Sequence, residues 1–470
     1  MKRIAWISSL ALVALSPLAY AQDRPKVNVS FEEKRLAVIP ENVRMDRNAV
    51  AFSPDGRAGA AVVFRAGKEF ILVGDKMGAE FDKIAGLPLF SPDGKTVAFV
   101  ACSGPKKLLV VGDKKGKLFD DIGPPVFCPD GKTVVYRAGQ GQKGQGRKQS
   151  IVIGEKQGEV FDRVSHFIIG ADNRAVAYVG ENRDDSSGRQ KDYLIVGESK
   201  SEAFDQVRHF TFGPDGKTLA YSVAKDGKCF VVLGQTWGEA CDQVFDTPVF
   251  SPDGKTMAYM ARNGDKQFVV VGGKKSEEFD GVEGLAFTTQ GKVIYAARNN
   301  PFRHIVVVGD QRTEEAYDYE FMSPTPTFSP SGKAIAYYVT QDNFGSDAYF
   351  AVGRKKSEVA STGLIFSPDE TTIAYILRQN RKQFIVMGDQ KGEGFDAVGM
   401  PAFSPDGKTL AYRATNGVDN RAKSFIVLGG QKAEEFDWVS DPVFSRDGRK
   451  VAYGAVKGRE LWWKVIEVKP

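Results

Sequence analysis

One phrase governs what this chain can become. It is written FSPDGKTVAF from Phe90, FCPDGKTVVY from Phe127, FGPDGKTLAY from Phe212, FSPDGKTMAY from Phe250 and FSPDGKTLAY from Phe403. Looser copies fill the gaps, so that eleven units start at Phe52, Phe90, Phe127, Ile169, Phe212, Phe250, Phe287, Phe328, Phe366, Phe403 and Phe444. Successive starts lie 37 to 43 residues apart. A period near 40 marks a repeat architecture, in which each unit buries its apolar surface on the next.

Each unit reads as four strands. In the unit at Phe250 a first strand ends on Pro248-Val249-Phe250, and a Ser-Pro-Asp-Gly turn leads into Thr256–Ala261. A polar loop, the apolar run Phe268–Val271, a Gly-Lys turn and the acidic segment Glu277–Asp280 follow. Pro presets φ at the second turn position, Asp bonds to nearby backbone, and Gly accepts a conformation that side chains resist. The third strand decides the layering. Leu108–Val111, Phe268–Val271, Ile305–Val308 and Phe384–Met387 do not alternate apolar with polar residues, so both their faces need cover. The acidic fourth segment suits an outer edge.

Four-stranded sheets stacked face to face around an axis meet both demands. The expected fold is therefore all-β, a β-propeller of about eleven four-stranded blade units. Eleven exceeds the usual four to eight, which points to two packed propellers rather than one large ring; a single pair of chain ends pulls the other way. The last unit stops one strand short, and Arg35–Ile39 can supply the missing strand.

This hairpin and its period resemble the WD40-like repeats of TolB-type β-propellers, over the whole chain from Phe52 onward. The resemblance implies the fold. After the hairpin the chain departs from it, writing VVVG-x-K-x-x-E-x-FD where those relatives carry an IYxxD-type strand and a G…LT ending, and no N-terminal domain of the TolB kind is recognised. The specific role is therefore not implied.

Residues 1–21 read separately: Lys2 and Arg3, an apolar run Ile4–Leu15, Pro17 and the small-x-small triplet Ala19-Tyr20-Ala21 describe a secretory signal peptide cleaved before Gln22. The run is short for a span, and no later run is long enough, so no membrane span is expected after cleavage. Residues 22–51 then form an N-terminal segment and 52–470 the repeats. The expected location is periplasmic or secreted. Loss of Lys2 and Arg3 takes the formal charge from +5 to +3, too little to imply nucleic acid. The hydrophobic share of 42% supplies a core without cofactor or metal.

Loop lengths map function. From the hairpin start to the Gly ending the third strand the distance is 22 residues in most units, but 27 at Phe127, 28 at Ile169, 25 at Phe328 and 26 at Phe403. The additions lie in Ala138–Gln149, Gly180–Asp192, Val339–Ala348 and Ala414–Lys423, and Tyr319–Thr327 enlarges one connection between units. All emerge on one face, whereas the Ser-Pro-Asp-Gly and Gly-Lys turns emerge on the other. Binding on rigid scaffolds is carried by loops, so the variable face is the expected working face.

Candidate binding residues there are Arg137, Arg262, Arg298, Arg378 and Arg413, near the ends of second strands, where a flat guanidinium suits carboxylates or phosphates or merely solvates a rim. The opposite turns carry lysines mixed with glutamates, the pattern of a solvated surface. The recurring Phe-Asp aspartates read as strand-ending hydrogen bonds rather than a carboxylate cluster. His166 and His209 occupy the same position in consecutive units and are expected near the axis.

Catalytic readings find little support: no GxSxG elbow is present, and the turn is not a sialidase Asp box. The expected function is binding of another envelope or extracellular protein, the alternative a hydrolase or lyase acting on a saccharide or lactone near the axis. Of four cysteines, Cys229 begins a third strand and Cys241 stands where the neighbouring units place Phe, which allows a cross-strand disulfide between them.

Overall fold

In the computed structural model the described residues are 29–468, except 142–147, 172–174, 185–186, 301–302, 317–326, 341–347, 353–354, 357–359 and 418–421. The signal-peptide segment 1–21 lies outside them. The described residues form eleven antiparallel sheets of four or five strands and no helix. No helix among them is long and apolar enough to cross a membrane.

The non-alternating third strands are covered as their composition requires. Leu108 and Val110 enter one hydrophobic cluster with the first sheet, while Leu109 enters another with the third. Phe268 and Val270 likewise face the fifth sheet, and Val269 the seventh. Each described cluster of this kind lies between one sheet and the next, and the series continues from the first sheet to the eleventh.

The series also closes. Leu36, Ala37, Val50, Val63 and Leu72 from the start of the chain share a core with Ala452, Val456, Leu461 and Trp463 from its end. Lys34–Val38 pairs antiparallel with Glu460–Glu467 as the outer strand of the eleventh sheet. Trp463 lies over the first turn so closely that a Cβ on Gly56, at φ +73°, would stand 2.1 Å from its ring. Two packed propellers would require two such closures. Among the described residues the sheets instead form one circuit, closed where the two ends of the chain meet.

Each Ser-Pro-Asp-Gly corner is a self-contained bond set. Ser91 donates to the Asp93 carboxylate at 2.6 Å, its hydroxyl accepts from the Thr96 N–H at 2.9 Å, and Gly94 N–H reaches Ser91 C=O at 2.8 Å. Where Cys128 or Gly213 replaces Ser, the aspartate takes the Thr hydroxyl at the turn exit instead, Asp130 from Thr133 and Asp215 from Thr218. Glu370 replaces Gly at φ +61° and bonds back to the preceding turn, accepting from Ser331 N–H at 2.6 Å and from Ser329.

Two local features differ from expectation. The outer strand is the two-residue Lys274–Lys275 and its counterparts, not the acidic segment after it; of that segment only Phe279 bridges back, to Gln267. The Phe is buried and the neighbouring glutamates are not, so one residue per repeat is held. The first strands also break. Their pairing with the second strand is interrupted between Ala85 and Leu89, Phe245 and Val249, and at matching places elsewhere. Pro88, Pro125, Pro248, Pro401 and Pro442 stand at the break in five sheets and have no N–H to offer the ladder.

Candidate binding face

The Phe-Asp segment fixes the sheet-to-sheet joint. Phe119, Phe279 and Phe436 are almost wholly buried and meet Tyr136, Tyr295 and Tyr453 of the next sheet edge-on, with centroids 6.2, 6.3 and 6.2 Å apart. The aspartate that follows faces two ways. Asp82 takes Lys68 of its own sheet at 2.6 Å through one carboxylate oxygen, and the Gly104 N–H of the next sheet's loop at 2.7 Å through the other. These bonds hold its pKa below the usual carboxylate range, the Lys68 hydrogen bond first.

The same latch holds three of the enlarged loops. Asp120 accepts from Gly141 N–H at 2.8 Å, Asp162 from Arg183 at 2.9 Å and Asp396 from Gly417 at 2.7 Å. Short loops are latched alike, Asp205 on Asp226 at 3.0 Å, Asp242 on Gly264 at 2.8 Å and Asp437 on Gly458 at 2.7 Å. A lysine fourteen residues earlier completes the set, as in Lys148–Asp162 at 2.5 Å and Lys423–Asp437 at 2.6 Å. The aspartates are thus neither a cluster nor merely strand ends; they clamp neighbouring sheets at the roots of seven described loops.

Beyond the latch, loop length changes without altering its root. The insertion after Gly180 lengthens the hairpin to the pair Arg183–Gln190, closed by Gly188 N–H on Asp184 C=O at 2.8 Å. Much of Ala138–Gln149, Val339–Ala348 and Ala414–Lys423, and nearly all of Tyr319–Thr327, lies outside the described residues.

The five arginines stand on five different sheets, and the buried Nε atoms of Arg262 and Arg298 have no hydrogen-bond partner among the described residues. Arg137 lies against Gly123, Arg298 against Gly281 and 3.9 Å from Glu283, and Arg413 against Gly399 and 3.5 Å from Asp441. Arg262 is half-buried and Arg378 exposed. His166 stacks on Phe210 of the next sheet at 4.7 Å, while the main-chain N–H of His209 donates to the Ser222 hydroxyl at 3.2 Å. Desolvation lowers both imidazole pKa values; Asp246 partly offsets this for His209. Among the described residues no three His, Cys, Asp or Glu side chains come together as a metal site.

On the opposite face the turn lysines fold back over aromatic rings, Lys275 over Phe268 at 4.1 Å and Lys432 over Phe425 at 4.2 Å. Cys229 and Cys241 are direct bridge partners, and both thiols are free. The break in the first strands, which exposes Leu87 and Met400, is marked in the sequence by Gly-Leu-Pro and Gly-Met-Pro.

No protein-family model matches the chain, and no curated protein matches it. Among solved structures, TolB from Acinetobacter baumannii aligns at 15% identity over 59% of this chain and 78% of that one, with a TM-score of 0.27. The β-propeller domain of the Trilobed protease from Pyrococcus furiosus aligns at 14% identity over 65% and 95%, TM-score 0.28. An oligogalacturonate lyase in complex with manganese aligns at 12% over 74% and 98%, TM-score 0.27. These neighbours are propeller-type and otherwise diverse. Scores this low carry no argument about function, and the propeller architecture of this chain rests on its own sheets.

Proposed function

We propose that this chain is an exported binding protein that holds another envelope or extracellular protein on its loop-bearing face. The observation that carries this reading is the recurrence of the latch: seven described loops of different length hang from the same carboxylate-to-N–H bond, so in them length varies beyond an intact joint. A scaffold with fixed roots and variable loops suits recognition of a surface. The basic start, apolar run and Ala19-Tyr20-Ala21 support export.

The test is capture from envelope extracts with the mature chain as bait. Cutting Ala138–Gln149 and Gly180–Asp192 to the length of Arg262–Lys266 is expected to abolish capture with folding retained, since loop closure changes by only about 0.6 kcal/mol per doubling of length. Changing Lys114, Lys115, Lys274 and Lys275 to Gln on the opposite face is expected to leave capture intact. The reverse pair of results would place the site on the turn face.

A further inference from the structure

We infer that Cys229 and Cys241 are a disulfide-forming pair that takes over, at one joint of the ring, the work done elsewhere by a buried Phe and a polar cap. The argument is a comparison of equivalent positions. The bridge joining the third strand to the Phe-Asp segment pairs Glu69 with Phe81, Lys107 with Phe119, Gln149 with Phe161, Asp192 with Phe204, Gln267 with Phe279, Gln383 with Phe395 and Ser424 with Phe436. In the fifth sheet alone among these described bridges both members change, and both become cysteine.

Neither change is explained by the other residue's ordinary role. The polar member commonly caps a backbone N–H fifteen residues on, as Gln149 does for Val164 at 2.9 Å and Gln267 for Val282 at 2.9 Å; a thiol is a weak acceptor and a poor replacement. Cys241 is far smaller than the Phe that fills the joint elsewhere. Together, however, the two stand in register. Cys229 N–H donates to Cys241 C=O at 2.8 Å and Cys241 N–H to Cys229 C=O at 2.9 Å, which makes them a hydrogen-bonded antiparallel pair with side chains on one face. Such pairs hold their Cα atoms about 5.5 Å apart, inside the range a disulfide spans. Both side chains join the core between the fifth and sixth sheets. Cys102 and Cys128 have no such partner: one ends a second strand of the second sheet, the other opens a turn of the third.

The chemistry is thiol–disulfide exchange with a small-molecule disulfide or a disulfide-bearing protein as oxidant. Burial pushes the Cys241 thiol up to about 11, so the half-buried Cys229 starts. Its thiolate attacks the oxidant and releases one thiol; Cys241, deprotonated, then displaces the second. The S–S bond formed costs the pair two protons and two electrons, and the oxidant's S–S bond is reduced to two thiols.

The test uses the full chain, reduced, folded, and incubated with glutathione disulfide before alkylation and peptide mapping, which is independent of where the protein resides and of what it binds. Two of the four thiols should be lost, with Cys229 joined to Cys241 and Cys102 and Cys128 alkylated. The double variant Cys229→Gln, Cys241→Phe, which restores the pattern of the other sheets, should keep both remaining thiols under the same treatment. Four alkylated cysteines in the folded wild-type chain, or a bond to Cys102 or Cys128, would overturn the inference.

Discussion

On the turn face, most bonds that shape the corner close within a few residues: Ser91, Asp93, Gly94 and Thr96 satisfy one another, and Glu370, reaching back to Ser329 and Ser331, is the exception. On the loop face, the decisive bond leaves its sheet: Asp82, Asp162 and Asp396 each hold a lysine behind them and a main-chain N–H of the next sheet ahead. The difference explains where this chain tolerates change. A closed corner has no slack for extra residues, whereas a latch at a loop's root leaves everything beyond it unconstrained.

The largest expected effect removes the frame on which both faces depend. Phe279 is fully buried between the sixth and seventh sheets, so Phe279→Ala should cost about 3–5 kcal/mol in chemical unfolding. Next comes the latch. The Asp437 side chain is 8% exposed and bonds both Lys423 and Gly458 N–H, so Asp437→Ala should cost about 1–3 kcal/mol, and leave the turn-face amides as protected as before. A corner is worth less: Ser91→Ala should cost about 1 kcal/mol, with the loss confined to its own hairpin. If Ser91→Ala loosened a neighbouring sheet's loop while Asp437→Ala did not, the contrast between the faces would be reversed.

The smallest effect per residue is in pH. The Lys148 hydrogen bond lowers the Asp162 pKa, and the Ser91 hydroxyl lowers that of Asp93. Carboxylates with depressed folded values contribute stability that is present above the unfolded range, about pH 4, and lost as pH falls through the folded values. Thermal midpoints should therefore fall on acidification below about pH 4, on both faces, with added salt weakening the exposed Lys–Asp part. His166 and His209 act on the same side at higher pH: being harder to protonate when folded, they contribute stability present above about pH 6.5 and lost as pH falls.

Much of the frame was legible because it repeats. The period, the turn chemistry and the unalternating third strands each require a stack of small sheets, and Arg35–Ile39 stood out as apolar residues beside a unit one strand short. The number of rings was not legible, since the contacts that close the circuit, such as Trp463 over Gly56, join residues about four hundred positions apart. The role of the Phe-Asp aspartates was half legible. Their recurrence marked them as structural, but a bond to a main-chain N–H leaves no residue type in the sequence to betray its partner. The arginines show the opposite failure, a shared residue type that the fold spreads over five sheets.

The claim that loop roots are constant while loop length varies is tested most directly by amide hydrogen exchange at the latched N–H groups. Gly141, Arg183 and Gly417, at the roots of long loops, should exchange as slowly as Gly104 and Gly264 at the roots of short ones, and Asp162→Ala should release Arg183 alone among them. Rapid exchange at the three long-loop roots, with slow exchange at the two short ones, would contradict the account.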